Sequence, residues 1–198
     1  MNERSAANDR TVKTRRTALW LLFLGATVGA ALDGLHTFSG ATWYAAPQFL
    51  RSVWWCPPLF AFAGLSIGMG RLMNARVLKH DVVAPTGRAV AITMVLFIVG
   101  YGLSGFLPAA WWVKALVLGI FFLVCLAFDF TAPTLLNAAG AALGGLVVEH
   151  LLTSYGLFFH RDTQLWGVAG WLPVLYALAA VSVGLLARWL ALPPSEPT

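Results

Sequence analysis

Four side chains sit where long apolar runs place them near one edge of a membrane: Asp33 and His36 in one run, Glu149 and His150 in another. A carboxylate beside an imidazole could exchange a proton as a general acid and base or share a metal ion. It could also give a polar lining to the mouth of an apolar cavity, because ionisable groups at membrane depth face a partner or water. The plainest alternative is that these side chains reach interfacial water or lipid head groups. The two-histidine helical spacing of a membrane metalloenzyme is missing, so no metal and no cofactor is expected. Asp129 precedes the turn DFTAP, where it would cap the next helix, with Pro133 in the first turn, or touch a partner. His80 and His160 fall in loops and are expected to be solvated. No nucleotide-binding loop, paired-carboxylate hydrolase site or serine-histidine constellation is present.

These residues need a frame that holds them in lipid. The chain has 198 residues, 59% hydrophobic and 11% charged, with a mean hydropathy of +0.76. A soluble domain of this size could not bury so much apolar surface, whereas a bilayer-embedded one need not. Runs able to cross about 30 Å of hydrocarbon occur at 17–36, 53–72, 89–106, 109–128, 132–152 and 167–190. The expectation is an all-α polytopic membrane protein with six transmembrane helices spanning residues 17–191, between an unstructured basic tail at 1–16 and a short tail at 192–198. The stretch TRRTALWLLFLGATVGA has the look of a signal peptide, but five further spans favour a retained first helix. Cys56 and Cys125 lie near opposite ends of their helices, a depth difference of about 20 Å, so both are expected to be free thiols.

With the N-terminus in the cytoplasm, ten of the thirteen basic residues fall on the inner side and only Arg51, Lys114 and Arg161 fall outside. The positive-inside rule therefore places both termini in the cytoplasm. The net charge of +5 is accounted for by topology and calls for no nucleic acid. Trp43, Trp54, Trp55, Trp111, Trp112, Trp166 and Trp171 gather at the outer boundary, as interfacial anchors do.

The segment WCPPLFAFAGLSIG at 55–68 aligns with WLPVLYALAAVSVG at 171–184 at an offset of 116, matching Trp55 with Trp171, Pro57 with Pro173 and Gly68 with Gly184. The same offset pairs Gly29 with Gly145, Asp33 with Glu149, Gly40 with Gly156 and Gln48 with Gln164. Helices 1-2 and 5-6 thus form a parallel internal repeat of one hairpin, an arrangement that places binding sites where the copies meet. Each Trp-x-Pro starts a helix, where proline costs little. Pro58 is extra, and either joins that first turn or opens the backbone onto a cavity. The steps Gly64-x-x-x-Gly68 and Gly140-x-x-x-Gly144 read as close-packing faces.

Trp54-Trp55-x-Pro57-Pro58, Phe128-Asp129, Tyr155-Gly156 and Trp171-Leu172-Pro173 with Val183-Gly184 and Arg188 occur in an order and spacing that resembles the Insig family over roughly residues 17–190. The resemblance implies a six-helix, non-enzymatic membrane protein. Eukaryotic members reside in the endoplasmic reticulum, bind oxysterol and retain the sterol sensor Scap and HMG-CoA reductase through an aspartate after helix 4, which Asp129 matches. The arginine- and serine-rich segment that follows it in the family is FTAPTLLN here, and His150 stands where the family has a glutamine. Short loops and many Ala, Gly, Arg and Trp residues favour a bacterial cell membrane over the endoplasmic reticulum. Scap and the reductase would be partners only in a eukaryotic cell.

The reading that follows is an Insig-like lipid sensor or scaffold holding a sterol or a diacylglycerol-like lipid in a cavity between the hairpins. Its candidate site is Asp33, His36, Trp55, Pro58, Phe62, Glu149 and His150. A small transporter on parallel hairpin repeats is the alternative, and a lipid enzyme using Glu149 and His150 as acid and base is a third. A homo-oligomer, trimer or dimer, is expected from the small-residue faces.

Overall fold

The computed structural model describes residues 3–80 and 82–192. Helix α1 runs through Glu3–Leu24, one π turn at Gly25–Gly29, and Ala30–Ser39. Strand β1 (Thr42–Tyr44) follows, then α2 (Cys56–Val77), α3 (Gly87–Phe106), α4 (Trp111–Leu126), α5 (Ala132–Ser154), strand β2 (Phe158–His160) and α6 (Leu172–Ala191). Five of the six helices are long and apolar enough to cross a membrane. The exception, α4, has 16 residues and so reaches only about 24 Å at 1.5 Å per residue. Residues 3–16, assigned by composition to a tail, continue α1 as helix. Residues 193–198 lie outside the described residues.

Local signals set the helix ends. Both prolines of Cys56-Pro57-Pro58 sit in the first turn of α2, where N–H groups have no intrahelical acceptor, and Pro173 does the same for α6. Pro58 is therefore part of helix initiation. The Thr86 hydroxyl caps α3 by accepting from the Ala89 N–H at 3.2 Å. Gly40 (φ 72°) and Gly156 (φ 68°) follow the ends of α1 and α5 in the left-handed conformation that glycine adopts without strain.

The hairpin repeat extends through backbone detail. The strands are 116-residue images and pair antiparallel, Thr42 with His160, Trp43 with Phe159 and Tyr44 with Phe158. Trp43 is thus opposite its own image, so the two-fold axis passes through that pair. Two further bonds cross the axis symmetrically, Ala45 N–H to Leu157 carbonyl at 3.1 Å and Arg161 N–H to Ala41 carbonyl at 2.9 Å. The bridge Phe49–Ser52 recurs as Leu165–Val168. Gln48 Oε1 accepts from Trp54 N–H at 3.0 Å, as Gln164 Oε1 accepts from Gly170 N–H at 3.1 Å. Chain direction also agrees: α1 and α5 both run towards the strand ribbon, α2 and α6 away from it. An axis along the bundle relates them.

Helix α6 is the central post, packing against α1, α2, α3, α4 and α5. Burial against other helices gives little hydrophobic gain in lipid, so close approach must supply the attraction. Ala179, Ala180, Ser182, Gly184 and Ala187 provide it. At the α2–α6 crossing, a Cβ on Gly184 would lie 3.1 Å from Arg71 Cγ, and one on Gly68 3.2 Å from Ala187 Cβ. Residues 71 and 187 are again images. Both thiols, Cys56 and Cys125, are free and buried.

Candidate functional site

The two acids begin the site, each held by a residue eleven positions later. Tyr44 Oη donates to Asp33 Oδ2 at 2.7 Å, and Cys56 Sγ lies 3.5 Å from the same oxygen. In the image, His160 Nε2 donates to Glu149 Oε2 at 3.3 Å, while Tyr176 Oη donates to Oε1 at 2.8 Å. Burial, then the neighbouring Asp33 carboxylate, raises the Tyr44 hydroxyl far above its ordinary value, so Tyr44 stays a donor. His160, expected to be solvated, is only 4% exposed. The ribbon turns Thr42, Tyr44, Phe158 and His160 inward onto the bundle. The signal for this was present in the sequence, since the 116 offset carries Asp33 and Tyr44 onto Glu149 and His160.

The acids differ in what they face. Asp33 is 3% exposed and sealed beneath Tyr44 and Cys56, whereas Glu149 lines a groove of about 560 Å³ between α2, α5 and α6. The groove wall is Leu59, Phe60, Phe62, Ala63 and Ile67 on α2, facing Leu136, Gly140, Ala141, Gly144 and Val148 on α5. Its polar groups are Ser66, Asn74, Asn137, Tyr176 and Glu149, the last being the one carboxylate among them. Gly140 and Gly144, read from sequence as a packing face, meet nothing within 4 Å where a Cβ would stand. They leave the space that becomes the groove.

Of the sequence candidates, Phe62 and Glu149 line this groove and the other five do not. His36 Nε2 donates to the Tyr101 carbonyl at 3.1 Å and the Ser104 hydroxyl at 2.8 Å, its ring stacked on Tyr101 at 4.2 Å. Trp55 packs its edge on Tyr44, and Pro58 is exposed in the first turn of α2. His150 Nδ1 donates to the Trp166 carbonyl at 2.9 Å in the loop. Glu149 and His150 are adjacent in sequence but bond to different elements. Trp171, grouped with the interfacial anchors, is instead buried, with His36 at its edge and Lys114 over its ring. Sequence reasoning missed Tyr176, although it is the image of Phe60 and sits beside Gly145 as Phe60 sits beside Gly29. Among the described residues, no group of three or more His, Cys, Asp or Glu gathers to hold a metal.

At the opposite end, Asp129 is 6% exposed between two arginines. Arg71 Nη2 lies 3.1 Å and Arg188 Nη1 2.7 Å from its Oδ2, and the Thr134 hydroxyl donates to the same oxygen. Arg71 also donates to Thr134 Oγ1 at 2.8 Å. Asp129 accepts from the Thr134 side chain in place of capping the α5 backbone. Burial pushes its pKa up, but the Thr134 hydrogen bond and the Arg188 and Arg71 charges outweigh that and hold the carboxyl below the usual range.

No family profile matches the chain, and no curated protein does. Solved structures do. The crystal structure of a mycobacterial Insig homologue, MvINS from Mycobacterium vanbaalenii, superposes with a TM-score of 0.76 at 22% identity, covering 88% of this chain and 93% of that one. A cross-linked trimer of a cysteine variant of MvINS gives the same values. Helix order, paired hairpins and superposition agree over nearly the whole chain: this protein has the fold of a bacterial Insig homologue.

Proposed function

We propose that this is an Insig-like lipid-binding protein of the bacterial cell membrane, which holds one neutral amphiphile, a sterol or a diacylglycerol-like lipid, in the groove between its hairpins. The observation that carries this reading is the groove: about 560 Å³ of mostly apolar lining with a single carboxylate, Glu149, at its ribbon end. Ligand sites are typically about 300–1,000 Å³ and apolar, with few polar groups fixing orientation. An acyl chain or ring system lies along Gly140 and Gly144, and a hydroxyl head donates to Glu149. Phe62, 67% exposed, stands at the open side. The role is sensing or scaffolding, because the side chains that could do chemistry are occupied in holding the fold: Asp33 by Tyr44, His36 by Ser104, Asp129 by two arginines. The fold's likeness to a protein crystallised as a trimer supports a homotrimer. The basic residues at the termini end support cytoplasmic termini and an external ribbon.

The test is purification in mild detergent, solvent extraction and mass spectrometry. One lipid per chain is expected, lost in Gly144→Phe, which fills the groove where a Cβ meets nothing. Wild-type protein without stoichiometric lipid, or unchanged retention in Gly144→Phe, contradicts the proposal.

A further inference from the structure

The ribbon is tied to the bundle by two hydrogen-bonded side chains that are images of each other yet chemically unlike. Tyr44 Oη donates to Asp33 on α1, and His160 Nε2 donates to Glu149 on α5. Tyr44 keeps its proton, since burial and the Asp33 carboxylate raise its pKa far above the ordinary value. An imidazole, by contrast, is the side chain whose charge changes nearest neutrality. One tie is fixed, and the other responds to protons.

The cross-strand neighbours carry the same asymmetry. The bonds from Arg161 N–H to Ala41 and from Ala45 N–H to Leu157 set the alternation of the ribbon, which makes Thr42 with His160 and Tyr44 with Phe158 its non-hydrogen-bonded pairs. Opposed side chains come closest in such pairs, and the two-fold carries one pair onto the other. Tyr44 meets the apolar ring of Phe158, with centroids 4.8 Å apart, whereas His160 is opposed by a hydroxyl-bearing residue. Thr42 is 1% and His160 4% exposed, and neither Thr42 Oγ1 nor His160 Nδ1 has a hydrogen-bond partner among the described residues. A threonine hydroxyl donates to the bare nitrogen of a neutral imidazole and accepts from an imidazolium. The residue opposite His160 thus suits both of its protonation states.

Among the described residues, β2 packs on β1 and α5. The charged and titratable groups around His160 are Glu149 at 3.3 Å and, across the axis on α1, Asp33 with its donor Tyr44, and His36. Lys114 on α4 acts on His36, while Tyr176 on α6 and Tyr101 on α3 lie beyond Glu149. Two carboxylates therefore face one imidazole, and a proton added there strengthens the attraction between ribbon and bundle. Glu149 Oε1 already receives Tyr176 and Oε2 receives His160, so about two of its four lone-pair sites remain for a ligand hydroxyl.

We propose that His160 is a proton-operated latch on the groove: when the solution at the ribbon end is acidified, its imidazolium draws the ribbon onto Glu149 and takes that carboxylate from the ligand. The coupling to ligand rests on the reading of Glu149 as the head-group acceptor, whereas the tightening of the ribbon does not.

The test compares wild type with His160→Gln, whose amide keeps a donor for Glu149 but gains no proton. Full-length protein in lipid nanodiscs is followed by hydrogen exchange, with rates corrected for their intrinsic pH dependence. Between pH 7.5 and pH 5.5, peptides covering residues 41–45 and 157–161 should become roughly tenfold better protected in wild type, as one strengthened charge pair implies, and stay unchanged in His160→Gln. Retention of a tritiated diacylglycerol should fall by a similar factor in wild type alone. Titration of Glu149 itself would appear in both proteins. Thr42→Val, which keeps the shape of the strand and removes only the hydroxyl, should move the midpoint of the ribbon response to lower pH, because the imidazolium then lacks an acceptor. Protection that is flat in wild type, or that changes equally in His160→Gln, overturns the latch. A ribbon that tightens while bound diacylglycerol is retained equally at both pH values overturns its coupling to the groove. If no diacylglycerol binds at either pH while the ribbon still tightens in wild type alone, the latch stands and the groove reading falls.

Discussion

At the scale of single residues, the most consequential group in the bundle is Asp129. It joins α2 and α6 through Arg71 and Arg188 at the start of α5. Removing its charge leaves two guanidiniums close together with no counter-ion, and breaking a buried pair in this way costs about 3–5 kcal/mol. Asp129→Asn should therefore lower the melting temperature in detergent markedly, and a variant as stable as the wild type would show the cluster to be idle. The pH dependence follows from the lowered pKa in the folded state. Such a group adds stability above the unfolded carboxylate value of about 3.9 and loses it as pH falls through the folded value. The difference between wild type and Asp129→Asn should thus be constant from neutral pH to about pH 5 and shrink below about pH 4. A difference that grows on acidification has the wrong sign for this account.

At the scale of elements, the helices and their repeat were legible in the sequence because apolar runs, Trp-x-Pro starts and Gly40/Gly156 ends are local signals. The ribbon was not, since two three-residue strands 116 positions apart carry too little pattern to announce themselves. That omission had a cost at the site. Without the ribbon, His160 reads as a solvated loop histidine, and Glu149 is paired with its sequence neighbour His150 rather than with His160 and Tyr176. The two glycine steps part for a related reason: a small-residue step signals either contact or space, and within this chain Gly68 meets Leu21 and Ala187 whereas Gly140 and Gly144 meet nothing within 4 Å. The ribbon can be checked directly. Trp43 and Phe159 are register partners, and opposed Cα atoms in a bonded antiparallel pair lie about 5.5 Å apart, within disulfide reach. Trp43→Cys with Phe159→Cys should cross-link quantitatively under mild oxidation, seen as a mobility shift that reductant reverses. Failure to cross-link in folded protein would remove the ribbon and the two-fold it marks.

At the scale of the whole molecule, a duplicated hairpin generates two equivalent spaces, and sequence divergence has made them unequal. Helix α3 covers one, and the other stays open beside Glu149. Charge follows the same axis: Arg51, Lys114 and Arg161 lie at the ribbon end, while Arg71, Arg76, Lys79, Arg88 and Arg188 lie at the other. Reporter fusions at either terminus should be active in the cytoplasm, and a tag inserted after Thr163 should be accessible from outside intact cells. A tag protected there would invert the topology. The proposal that the groove is a lipid site is tested most directly by an experimental structure of protein purified from its native membrane without added lipid. The account predicts elongated density along Gly140 and Gly144 with a polar head within hydrogen-bonding distance of Glu149. A groove that is empty, or filled by a helix of a neighbouring protomer, would contradict it.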